Sequence, residues 1–90
     1  MSYANIVSRY LAPSARQWDA SASMPYLSFT SPHAPDGCTY VSYDDDESVR
    51  AKAAYVTAQG LGAIIIWTIN QGHLPSTPHD PLLGAIADAL

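Results

Sequence analysis

The ninety residues predict an α/β fold, and three observations carry that expectation. A strongly punctuated helix begins at Asp44-Asp45-Asp46-Glu47. β-Formers alternate just before it, over Thr39 to Tyr43. An unbroken β-branched run, Ala63 to Ile69, follows it. Strand, helix and continuous apolar strand in that order are the pattern of a parallel α/β unit.

Tyr3, Ile6, Val7 and Tyr10 fall at i, i+3, i+4 and i+7, one stripe of a short amphipathic helix ending before Pro13. Residues 12–23, rich in Ala and Ser around Trp18-Asp19, read as an irregular connection. Met24 to Phe29 reads as a short strand, with Pro25 at its start where no ladder donor is needed. Ser31 to Gly37 is dense in turn formers and reads as a loop. Thr39 to Tyr43 is then the hairpin partner of the first strand.

The acidic cluster reads as a helix start. A carboxylate at the N-cap accepts orphan backbone N–H groups, and its neighbours favour the positive end of the dipole. Consecutive carboxylates diverge once a helix begins, so the cluster is not read as a metal site. The helix is expected from about Asp46 to Gln59, with Val49, Ala53 and Val56 as its apolar stripe and an Asp46–Arg50 pair at i+4. Gly60 is placed to cap it. Ala63 to Ile69 lacks alternation, the habit of a strand buried on two faces. A Pro-rich loop follows, and then a closing helix with Asp80 as N-cap, Pro81 in its first turn, and Leu82, Leu83, Ile86 and Leu90 on its buried side. The whole is expected to form a single unit, residues 1–90.

Composition excludes several classes. Apolar residues are 48% of the chain, enough for a core, and charged residues only 13%. Eight acidic against four basic residues leave a net charge of −4, so no basic stripe exists for nucleic acid or for anionic membranes. No apolar run is long enough to span a bilayer, and the first residues show no secretion signal. Cys38 is alone, which rules out an internal disulfide framework. His33, His73 and His79 read as loop residues, and no metal or other cofactor is expected. From the residues alone, Trp67 reads as a core filler after three isoleucines.

Two segments resemble the C-terminal end of glycoside hydrolase family eighteen chitinases. They are Tyr40-Val41-Ser42-Tyr43-Asp44-Asp45-Asp46-Glu47-Ser48-Val49-Arg50-Ala51-Lys52 and Gln59-Gly60-Leu61-Gly62-Ala63-Ile64-Ile65-Ile66-Trp67. Trp18-Asp19 with Met24-Pro25-Tyr26, and Pro81 to Ile86, are similar to the family's flanking segments. The resemblance implies a C-terminal fragment of a (β/α)8 TIM barrel: the last two strand–helix units, with a preceding helix and hairpin. It implies that Trp67 is the aromatic floor under the N-acetylglucosamine at the scissile bond. It implies chitin or an N-acetylglucosamine oligosaccharide as ligand, and an N-terminal barrel fragment as partner.

The family hydrolyses its substrate with a Glu acid and the substrate's own acetamide as nucleophile, from an Asp-x-x-Asp-x-Asp-x-Glu motif. That motif is absent from these residues. The only Glu, Glu47, has the wrong spacing, because Ser48 stands where the acid belongs. The run after Trp67 also departs from the family, with Thr68 where Glu or Ala is common. The chain alone is therefore expected to be inactive, with no catalytic residue of its own. Unpaired barrel-strand edges further imply a homo-oligomer when it is expressed by itself.

Overall fold

The computed structural model describes residues 1–12, 14–33, 36–77 and 80–90. Helix α1 spans Tyr3–Arg9 and is capped by Ser2, whose hydroxyl accepts from the Asn5 N–H. Strands β1 (Arg16–Asp19), β2 (Met24–His33) and β3 (Cys38–Ser42) follow, then helix α2 (Asp46–Gln59), a 3-10 turn (Ile69–Gln71) and helix α3 (Pro81–Ala89). The strands form one antiparallel sheet in the order β1-β2-β3.

The sheet differs from the sequence expectation in two places. Residues 16–19 are a strand rather than part of an irregular connection: Arg16 pairs with Leu27 and Trp18 with Pro25. The turn that closes this hairpin uses Ser23 at φ 53, a left-handed conformation that its sequence does not advertise. Strand β2 also runs on to His33, into the stretch expected to be a loop, with a register irregularity between Ser28 and His33. Proline can sit there because the irregularity relaxes the demand for a ladder donor.

One face of the sheet packs on α1. Ile6 and Tyr10 of the helix meet Leu27, Val41 and Tyr43 in a buried cluster, with Tyr3, Leu11 and Phe29 packed against it. The helical periodicity of Tyr3, Ile6 and Tyr10 is thereby used as expected.

Helix α2 has the predicted bounds. Asp45 and Ser48 form a capping box, and Gly60 closes the helix at φ 65, where a glycine has no Cβ to strain. Val49 and Ala53 are buried. Arg50 does not take up the expected i+4 pair with Asp46; it reaches Asp88 of α3 at 3.8 Å, tying the two packed helices together. In α3, Asp80 caps and Pro81 opens the helix as expected, its carboxylate accepting from the Leu82 and Leu83 N–H groups. The buried contact there is the small Ala85, whereas Leu83 and Leu90 are exposed.

The largest correction concerns 63–69. The segment forms no strand, so the expected strand–helix–strand unit ends after α2. Five of its seven residues are β-branched, but none of the described residues forms a ladder with it. A strand buried on two faces needs neighbours on two edges, and sequence propensity cannot supply them.

Candidate functional site

Trp67 is 92% exposed, so it fills no core. It stands on the extended segment between α2 and the 3-10 turn, beside Ile65, which is 93% exposed. These residues border a hollow of about 420 Å³. It is lined by Tyr3, Ile6 and Tyr43 of the helix–sheet core, by Val49 of α2, by Leu82 and Ile86 of α3, and by residues 64–69. The Trp67–Thr68 peptide is cis. Thr68 donates its hydroxyl to Asn70 Oδ1 at 2.6 Å.

The polar wall comes from the start of α2. Asp44 Oδ1 accepts from Ser48 Oγ at 2.8 Å and from Lys52 Nζ at 2.6 Å. Asp44, Lys52 and Ser42 all line the hollow. Behind them Arg16 reaches across from β1. Its Nε and Nη2 donate to Asp45 Oδ2 at 3.0 and 2.7 Å, and Nη2 also donates to Glu47 Oε2 at 2.8 Å. Asp45 is buried and accepts from the Ser48 N–H through its other oxygen. A buried carboxylate is tolerated because its lone pairs are filled. The hydrogen bond to Asp45 raises the Arg16 pKa further above its ordinary value.

Glu47 is thus a partner of Arg16 at the start of α2.

Two tyrosines line the hollow on the core side. Burial raises the pKa of Tyr43 above the ordinary phenol value; the Asp45 charge adds to this and Arg16 opposes it. Its hydroxyl is buried and has no hydrogen-bond partner of good geometry among the described residues. Tyr3 is raised in the same way, by burial first and then by Asp45 and Asp46.

Among the described residues no group of three His, Cys, Asp or Glu side chains could hold a metal ion. His73 lies outside helix and strand, His33 closes β2 instead of lying in a loop, and His79 lies outside the described residues. No described helix is long and apolar enough to cross a membrane.

The bridge from Arg16 to Asp45 joins residues 29 apart and was not read from the sequence. Trp18 lies under the same guanidinium, 5.4 Å from ring centroid to Arg16 Cζ.

Residues 1–72 match the family described as glycosyl hydrolases family 18, and the chain belongs to that family. It is similar to a probable endochitinase of Caenorhabditis elegans, 38% identical over 61% of the chain and 8% of that protein. It is also similar to chitinase B of Serratia marcescens, 39% identical over 62% of the chain and 10% of that protein. A solved family 18 N-acetylglucosaminidase from Paenibacillus barengoltzii superposes with a TM-score of 0.72 at 31% identity. That match covers 98% of this chain and 23% of the other. The chain therefore spans a tenth or less of the curated relatives' length, and about a quarter of the structural neighbour. The family and this neighbour imply a TIM barrel, of which the chain is a small α/β piece with a three-stranded sheet.

Proposed function

We propose that this chain forms part of the sugar-binding cleft of a chitinase-like hydrolase, with Trp67 as the floor under one N-acetylglucosamine unit. The observation that carries the reading is the exposed indole at the edge of a hollow whose lining is mostly apolar. A pyranose ring offers its C–H face to such a surface, since the aromatic face is electron-rich. Asp44, Lys52 and Thr68 supply polar atoms around the same hollow, as a ligand with hydroxyl and acetamide groups requires.

In this reading the chain contributes the last two strand–helix units of the barrel. Residues 63–69 would become its final strand only when an N-terminal barrel fragment supplies the neighbouring strands, and that fragment also carries the acid. These ninety residues have no Glu in the family's acidic motif, so they bind and orient while hydrolysis is done elsewhere.

Titration with N-acetylglucosamine oligosaccharides, followed by tryptophan fluorescence, tests the floor role. Binding is expected to change the emission, and Trp67→Ala to remove the change while Trp18 still emits. An unchanged titration curve in Trp67→Ala would count against Trp67. Mixing the chain with an N-terminal barrel fragment is expected to restore release from a chitin oligosaccharide.

The outward Ile65 and Ile69 favour a second reading, self-association through the same segment when no barrel partner is present. A clean monomer at high concentration in size-exclusion chromatography would exclude it.

A further inference from the structure

We propose a second saccharide contact on the outward face of the sheet, a tyrosine platform centred on Tyr40 that continues the Trp67 hollow along the polymer. The choice of ligand rests on the reading of Trp67 as a sugar floor.

Side chains alternate across a pleated sheet, so the face turned away from α1 is fixed by register. It carries Gln17 of β1, Tyr26 and Ser28 of β2, and Tyr40 and Ser42 of β3. Tyr26 lies opposite both Gln17 and Ser42, and Ser28 opposite Tyr40. The two tyrosine rings are stacked, with centroids 5.6 Å apart and planes 24° apart. Tyr26 Oη donates to Gln17 Oε1 at 2.9 Å, which holds the amide beside the rings. Tyr40 is 57% exposed, with Ser28 across from it and Ser42 along the strand.

Stacking on Tyr26 orients Tyr40, so little side-chain freedom remains to be lost on binding. A flat ring flanked by hydroxyls and an amide suits a sugar: its C–H face meets the ring and its hydroxyls meet the polar groups. The charge of the surface selects the class of ligand. These five residues are neutral, which fits an uncharged polymer and offers nothing to an anion. The charged residue nearest on this face, Asp19, is turned to the backbone N–H groups of Ser21 and Ala22. Continuity selects the direction: Ser42 belongs to this face and also lines the Trp67 hollow. The hollow opens at the end of β3, where Ser42 is the shared residue, so a sugar chain crossing that strand end comes onto the face that carries Tyr40.

The test compares a short and a long N-acetylglucosamine oligomer by NMR on the ninety-residue chain. The disaccharide is expected to shift the Trp67 indole alone. The hexasaccharide is expected to shift the Trp67 indole and the Tyr40 ring together. Tyr40→Ala should weaken hexasaccharide binding about tenfold and leave the disaccharide unchanged. Tyr40→Thr, which puts a good strand former without an aromatic ring at this position, should behave alike, so a folding defect is separated from a lost contact. An unmoved Tyr40 ring, or unchanged hexasaccharide affinity in the two variants, overturns the platform while leaving Trp67 in place. A shift at Tyr40 with none at Trp67 supports the platform and overturns the floor role of Trp67. If neither ring moves, both readings fall.

Discussion

Leu27 in β2 is 0% exposed and Ile65, in the segment after α2, is 93% exposed, yet each lies in an extended run rich in β-formers. Leu27 has β1 on one side and β3 on the other, with α1 over its face. Ile65 has no ladder partner among the described residues. Burial therefore follows backbone pairing more closely than it follows hydrophobicity. The stretch 63–69 is the more apolar of the two and the less buried. An apolar strand is a demand for neighbours, and only the site where the demand is met becomes core.

The sharpest test of this contrast is a pair of truncations. Leu27→Ala is expected to cost about 2–5 kcal/mol, because it empties a closed site. Ile65→Ala is expected to stay within about 0.5 kcal/mol. Urea unfolding followed by circular dichroism measures both. Similar losses at the two positions would mean that the segment finds a covering surface in solution.

A smaller effect is expected at the joint between the two regions. Asp45→Ala removes the N-cap of α2 and the acceptor of Arg16, at about 1–3 kcal/mol. Asp45→Asn keeps an oxygen for the Ser48 N–H and should recover more than half of that loss. Equal losses in the two variants would assign the whole effect to charge, with none to capping.

The smallest effect is expected at Tyr43, with a definite sign. Its folded pKa is raised above the ordinary value of 10.0, so the fold favours the neutral phenol. The corresponding stability is complete below about pH 10 and is lost as the pH rises through the raised value. Tyr43→Phe cannot ionise and removes a buried hydroxyl with no hydrogen bond of good geometry among the described residues. It is expected to be neutral or stabilising by up to about 1 kcal/mol at pH 7, and to move the alkaline unfolding midpoint upward. A lower midpoint would show that the hydroxyl has a partner worth keeping.

The parts legible in the sequence are those whose causes are local. The acidic start before Asp46, the stop at Gly60 and the Asp80-Pro81 start each depend on residues within one helical turn, and each is legible in the sequence. The stripe of α1 was legible for the same reason. Strand β1 was not, because Arg16-Gln17-Trp18-Asp19 has no strong β signal and owes its state to β2. The Tyr26–Tyr40 stack was missed because it needs the register of two strands. Trp67 was singled out only through family resemblance, since the residues around it pointed to a core. Its exposure depends on what packs against the segment, and nothing within the segment specifies that.

Arg16 gives β1 a reason to sit in one register. This edge strand has only four residues, too few for its own pairing to discriminate well between alignments. A slip by one position would turn Arg16 to the far side of the sheet and bring Gln17 toward α2. Asp45 would then be left buried with its charge unanswered, and Glu47 would lose the same hand. The guanidinium thus works as an index pin: it makes one alignment of the hairpin far better than its neighbours, and it does so from the mouth of the second helix.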